Sequence, residues 1–330
     1  MRLLLTGGAG YVGGFTARHL AALGHELHVI DDLSAGHREA APPGSLTVCG
    51  IHERERIAAL IRDHQIEAVL HFAAFTSVAD SVRRPEAYWR NNVAGTLALL
   101  EAMRDGGADR IVFSSTAAVF GETSEMPLVE TAPLAPASPY ATTKLAVERM
   151  LADFARGQGL RFVALRYFNA AGGSADGVHG EHHEPETHLV PIVLQTLLGL
   201  RDRLTVYGHD FATPDGTCIR DYVHVADLAS AHALALDWTA RAASGAGEAI
   251  NLGTGTGHSV LEVIRATERV TGRSVRFEVG ERRPGDTARL VASRERAQRV
   301  LGWAPRASLD EILASAWEWH RRNPRGYTRE

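Results

Sequence analysis

Short, wholly apolar runs alternate with longer stretches whose apolar residues return every three or four positions. Leu3-Leu4-Leu5 is the first such run, and a helical pattern follows it to about Leu23. Residues 27–30 predict a second strand, Thr47-Val48 the start of a third, and 68–72 a fourth. Residues 110–115 and 161–167 predict a fifth and a sixth. Helical patterns fill the intervals at 57–64, 85–104 and 140–156. Strands that are apolar on both faces, separated by helices, belong to parallel sheets covered on both sides.

After Asn169 the texture changes. Residues 170–185 carry glycine, histidine and acids with no period. A helix at 189–200, a strand at 204–207, a helix at 226–238 and a strand at 249–252 follow. The glycine run 253–257 then turns the chain into a helix near Ser259. A short strand near Phe277 and two helices complete the chain. This half is too irregular for a second copy of the first fold.

The turn after the first strand changes the picture. Gly7, Gly10 and Gly13 are three apart, between a strand and a helix. That spacing permits a tight turn and close approach of backbone to a pyrophosphate at a helix N-terminus. The second strand ends in Asp31-Asp32. An acid there can bind both ribose hydroxyls and repels a 2′-phosphate, which favours NAD over NADP. The fold expected is α/β: a Rossmann-type doubly wound parallel sheet over 1–168, with a smaller α+β substrate-binding domain over 169–330 interleaved with it.

Composition narrows the field. The 330 residues are 45% hydrophobic and 22% charged, with a net charge of -4. That is an ordinary globular composition without the basic footprint of a nucleic-acid binder. No apolar run reaches membrane-spanning length. Two cysteines, Cys49 and Cys218, read as reduced thiols in a cytosol. The histidines His179, His182, His183 and His188 fit no zinc spacing, so their stretch reads as a solvated loop and no metal is expected.

The candidate chemistry lies in Pro139-Tyr140-Ala141-Thr142-Thr143-Lys144. Tyrosine and lysine four apart share one face of a helix. A free phenol holds its proton to about pH 10, and a fixed ammonium nearby would lower that. Thr116, at the end of the fifth strand, could orient the same substrate oxygen.

With these residues in view, the chain resembles the extended short-chain dehydrogenase/reductase family, and within it the sugar-nucleotide 4-epimerases, over nearly its whole length. The stretches that carry the resemblance are 6–13, 91–96, 165–169 and the long run 208–225. The resemblance implies Thr116, Tyr140 and Lys144 as the catalytic trio. It implies that Gly7, Gly10, Tyr11, Val12, Gly13, Asp31, Asp32, Phe72, Ala73, Ala74, Asn91 and Phe168 line an NAD site with Tyr140 and Lys144. Asn169, His188, Leu189, Tyr207, Arg220, Arg283, Asp286 and Leu290 would hold UDP-glucose or UDP-galactose. The two arginines can fork onto diphosphate oxygens. Tyr207 would offer a face to uracil, and Asp286 would accept from ribose hydroxyls. The resemblance also implies a homodimer, built on the helices near 85–104 and 140–156.

The chain departs from the family pattern at Ile51, Thr76, His188 and Leu290. Ile51 stands where an aspartate meets adenine, and Thr76 where a lysine meets the nicotinamide ribose. His188 replaces an asparagine near the sugar nucleotide. Leu290 stands at the gate to the sugar's 2-substituent. Three rival readings remain. A 4,6-dehydratase needs an acid pair after Thr116, where this chain has Ala117-Ala118. An epimerase of UDP-glucuronate or N-acetylated sugars would share the trio. A silent NAD-binding regulator would have no use for Tyr140 and Lys144.

Overall fold

The computed structural model describes residues 1–121, 125–283 and 286–327. Six strands come early: β1 (Arg2–Thr6), β2 (Glu26–Asp31), β3 (Leu46–Val48), β4 (Ala68–His71), β5 (Arg110–Thr116) and β6 (Arg161–Tyr167). Four more follow, β7 (Asn169–Ala171), β8 (Leu204–Tyr207), β9 (Ile219–His224) and β10 (Gly247–Leu252). β11 (Gly257–Ser259), β12 (Phe277–Gly280) and β13 (Arg289–Leu290) come last.

The main sheet runs β3-β2-β1-β4-β5-β6-β10, and every pair in it is parallel. Its middle strands are apolar on both faces, with Leu3, Leu4, Leu5, Val69 and Leu70 fully buried. Helices cover both faces, as the runs predicted. Strand order reverses between β1 and β4, so a crevice opens at their C-terminal ends. Far along the chain, the helix Val225–Arg241 packs on the helix Tyr11–Ala22 and on β5 and β6. It leads into β10, which pairs Ile250 with Leu165.

The helix Pro139–Gln158 has local causes at both ends. The Ser138 hydroxyl accepts from Ala141 N, Pro139 takes the first turn, and Gly159 closes it in the left-handed region at φ 75°. Its buried face includes Ala141, Lys144, Leu145, Glu148, Leu151 and Ala155, at helical spacing.

The predicted helix 85–104 is more complicated. Helices Val78–Arg83, Pro85–Tyr88 and Gly95–Gly106 flank a π segment, Trp89–Ala94, which holds one extra residue per turn. Asn92, buried in that segment, accepts Phe75 N at 2.8 Å and donates to Phe75 O and Thr143 Oγ1 at 3.1 Å. It therefore ties the loop after β4 to the helix that carries Tyr140.

In the second layer β9 is the hub, parallel to β7 and β13 and antiparallel to β11. β8 and β12 pair in parallel beside it. The buried Asp221 carboxylate accepts Thr254 N and Gly255 N at 2.8 and 3.0 Å, so the 253–257 glycine run is a turn wrapped on an acid. Cys49 and Cys218 are free and buried. Among the described residues no helix is long and apolar enough to cross a membrane.

Candidate active site

A cleft of about 460 Å³ lies where the strand order reverses and extends toward β9 and β13. The first glycine turn forms its floor. Gly7 sits at φ +71°, and a Cβ there would stand 2.5 Å from Ala73 N. A Cβ on Gly13 would stand 2.2 Å from Gly7 O. Only bare backbone fits this cradle, as close approach of a pyrophosphate requires. Gly10, Tyr11 and Val12 continue the wall.

Asp31 ends β2 at the cleft edge. Its Oδ2 accepts Ala9 N at 3.0 Å and its Oδ1 accepts Leu33 N at 2.9 Å. Burial pushes its carboxyl above the usual range, against these two hydrogen bonds. Each oxygen keeps a lone pair for a ribose hydroxyl. Asp32 caps its own turn through Ser34 N at 2.9 Å. Phe72, Ala73, Ala74 and Asn91 line the next stretch, with Ile51 and Thr76 at the same cleft. This donor set and cradle fit a dinucleotide.

Thr116, Tyr140, Lys144, Phe168 and Asn169 meet at the other end. The Lys144 ammonium donates to Ser114 O at 2.7 Å and lies 4.8 Å from the centre of the Phe113 ring. Thr116 stands beside the Tyr140 phenol at this end of the cleft, and its Oγ1 accepts Ala118 N at 3.2 Å. The sequence predicts that Lys144 holds the phenol's pKa down. In the protein by itself burial wins, pushing Tyr140 up to about 12 while the Thr116 hydroxyl pulls the other way. Burial also pushes Lys144 down to about 7, against the attraction of Glu148. Ala117 and Ala118 line the same cleft and carry no acid or base.

Of the sugar-nucleotide residues, Asn169, His188, Arg220 and Leu290 reach the cleft wall. Leu189 packs instead among the apolar residues between its helix and its neighbours. Tyr207, Arg283 and Asp286 form a group beside Arg220. The Arg283 guanidinium lies 4.8 Å over the Tyr207 ring, on a face expected for uracil. Asp286 Oδ2 accepts Arg283 Nε at 3.0 Å, and its Oδ1 lies 3.8 Å from Arg220 Nη2. Arginines and acid are therefore held together by their own charges.

Two features escaped the sequence. Ser115, Glu148 and Arg166 form a buried network beneath the trio. Arg166 donates to Glu148 through Nε at 3.0 Å and Nη2 at 2.6 Å, and Ser115 Oγ donates to Glu148 Oε1 at 2.5 Å. An arginine inside the apolar run 161–167 was the available signal. The second is a correction to the solvated loop expected at 170–185. Glu181 and Glu186 are only 4% and 7% exposed, and His182 stacks on His37 at 4.5 Å. Trp319 Nε1 donates to Glu181 O at 3.2 Å, pinning the segment to the C-terminal helix Leu309–Arg322.

The chain belongs to the NAD dependent epimerase/dehydratase family, whose model matches residues 3–253. Among named proteins, it is 45% identical to the UDP-glucose 4-epimerase of Halalkalibacterium halodurans, over 100% of this chain and 98% of that one. It is 47% identical to that of Streptomyces lividans, over 99% of this chain and 98% of the other. The UDP-glucose 4-epimerase of Stenotrophomonas maltophila, solved with NAD and formylated UDP-arabinopyranose, superposes with a TM-score of 0.95. That pair is 41% identical, over 98% of this chain and 99% of the other.

Proposed function

We propose that this chain interconverts UDP-glucose and UDP-galactose as an NAD-dependent 4-epimerase. The carrying observation is the meeting of Tyr140, Thr116 and Lys144 in the same cleft as the glycine cradle and Asp31. Bound NAD would supply a reversible hydride acceptor for sugar C4, and its positive nicotinamide ring would favour the Tyr140 phenolate.

The protein's residues do the proton work. Tyr140 takes the proton of the sugar 4-hydroxyl and later returns it. Thr116 orients that oxygen beside the phenol. Lys144, steered by Ser114 O, presents its ammonium to the cofactor's ribose side. Arg220 and Arg283 offer their forks to the diphosphate. Anchoring on UDP leaves the sugar free to present either face, because binding strength sits on the part that does not react. Alanines at 117 and 118 leave no proton carrier for elimination of water, which argues against a dehydratase.

The test pairs two measurements on the purified protein. UDP-galactose should be converted to UDP-glucose, and denaturation should release NAD. Recovery of NADP, or an inert protein that takes up no NAD, would overturn the reading.

The gate concerns finer specificity. Leu290 pairs with Arg220 across β13 and β9 and packs toward Val119, Phe120 and Phe168. Leucine is intermediate in bulk, so N-acetylated UDP-hexoses should turn over poorly. Leu290→Ser should raise their turnover relative to the parent. Equal rates for both sugars in the parent would remove Leu290 from that role.

We also infer a homodimer built on the 85–104 and 140–156 helices. Trp89 and Leu97 are 43% and 42% exposed there, which supports an apolar contact with a second copy. The buried, unbridged cysteines support a cytosolic setting.

A further inference from the structure

Glu181, His183, Glu186 and His188 lie within one eight-residue segment that leads into the helix Leu189–Leu197. One ligand atom from each can be chosen so that all lie within 4.8 Å of one another. His188 Nδ1 is 3.0 Å from Glu181 Oε1 and 2.9 Å from Glu186 Oε1. His183 Nδ1 is 3.4 Å from Glu181 Oε1 and 3.5 Å from Glu186 Oε2. Zinc bonds of about 2.0–2.1 Å in a tetrahedron put neighbouring ligand atoms roughly 3.3 Å apart. These four contacts bracket that value, and the widest pair must close by about 1 Å or more.

Two further observations point to a cation. His183 Nδ1 is buried without a hydrogen-bond partner, although it faces both carboxylates. At 3.4 and 3.5 Å from the two carboxylates, that nitrogen meets charge without a hydrogen bond of normal length. Both carboxylates are also buried, and among the described residues neither pairs with a lysine or arginine. Arg201 comes close, but it donates to the Glu186 backbone oxygen. Two buried carboxylates need compensating positive charge, which among the described residues the two imidazoles stand near enough to give and which a bound cation would supply in their place.

We propose that these four residues bind one divalent transition-metal ion of the zinc class. Imidazole and carboxylate suit that class, and no thiolate is required. The Glu186 carboxylate is already aimed by Thr187 N and His188 N, at 2.8 and 2.9 Å. Such second bonds orient a ligand for its metal. A cavity bounded by Gln195, Arg201 and His320 reaches Glu181, His183 and Glu186 from outside, and gives a path of entry. On the inner side Glu181, His183 and His188 wall the cleft, with His183 edge-on to Tyr11 at 6.5 Å. The ion acts as a staple. It fixes a segment without helix or strand between the glycine turn's helix and His188, which caps the helix at Leu189. The assignment stands independently of the reaction proposed above.

The test uses the full chain, stripped by chelator and titrated with Co²⁺ and then Zn²⁺. One Co²⁺ per chain should bind and give visible ligand-field bands, which Zn²⁺ removes. Zn²⁺ should raise the melting temperature of the stripped protein. His183→Ala should weaken binding by at least about 10–100-fold, the loss seen when even an outer partner of a metal site is removed. Should that variant fail to fold, His188→Ala decides, because its side chain is 47% exposed and tolerates truncation. Absent or sub-stoichiometric uptake would overturn the site. So would unchanged binding in the folded variant, which would leave a carboxylate–imidazole network.

Discussion

Tyr140→Phe is expected to slow epimerisation by roughly 10²–10⁴-fold, the range for loss of a general acid–base group. The substitution removes one oxygen and keeps the ring. Packing along the buried face of Pro139–Gln158 does not depend on that oxygen. The lost group is the phenol that stands beside Thr116 in the cleft. NAD released on denaturation should match the parent, because the glycine cradle and Asp31 are untouched. The measurement is turnover of UDP-galactose at saturation, beside the nucleotide content of both proteins. Near-normal turnover with full NAD would take the proton-transfer role away from Tyr140.

The second large effect is on stability. Glu148→Gln should destabilise the fold by about 3–5 kcal/mol, the cost of leaving one partner of a buried ion pair uncompensated. Arg166 is 4% exposed, and its Nη1 already lacks a hydrogen-bond partner. The glutamine keeps one neutral oxygen for the guanidinium and leaves its buried charge uncompensated. The Ser115 hydroxyl loses its charged acceptor at the same time. Replacing both members, as Glu148→Gln with Arg166→Met, should recover much of the loss, since a neutral pair of similar bulk leaves no buried charge. Urea unfolding of the three proteins decides the matter. A single-variant loss under about 1 kcal/mol would mean that Arg166 finds another partner or water. Glu148 also lies one turn from Lys144 and helps it stay protonated, so the single variant should lose activity before it loses its fold.

Local pattern explains which parts of the molecule could be read in advance. Leu3-Leu4-Leu5, the glycine turn and Tyr140-x-x-x-Lys144 depend on neighbours in sequence, and periodicity or spacing exposes them. The joining of β10 to β6 does not, because residues 247–252 pair with 162–167 across a long detour. Nothing in a six-residue apolar run names its partner. The π segment was hidden for another reason. One extra residue shifts the apolar repeat once, and the stretches on either side each still read as helix. The 172–188 segment has no period of its own, and it is held by Trp319 and Tyr327 near the far end of the chain. Arg283 and Asp286 lie three residues apart and pair locally. The approach of Asp286 to Arg220, by contrast, depends on β13 lying beside β9.

The wide turn at Trp89–Ala94 bears on redesign. An α-helix advances about 100° per residue, so deleting one residue to regularise that turn would rotate everything beyond it by that angle. Leu99, Leu100 and Met103, now facing the core, would swing toward solvent. Asn92 would lose its place against Phe75 and Thr143, and the helix bearing Tyr140 would lose a brace. A more ideal helix here would make a worse protein. The irregular turn is a phase correction that keeps a hydrophobic face and a polar brace aligned on one rod.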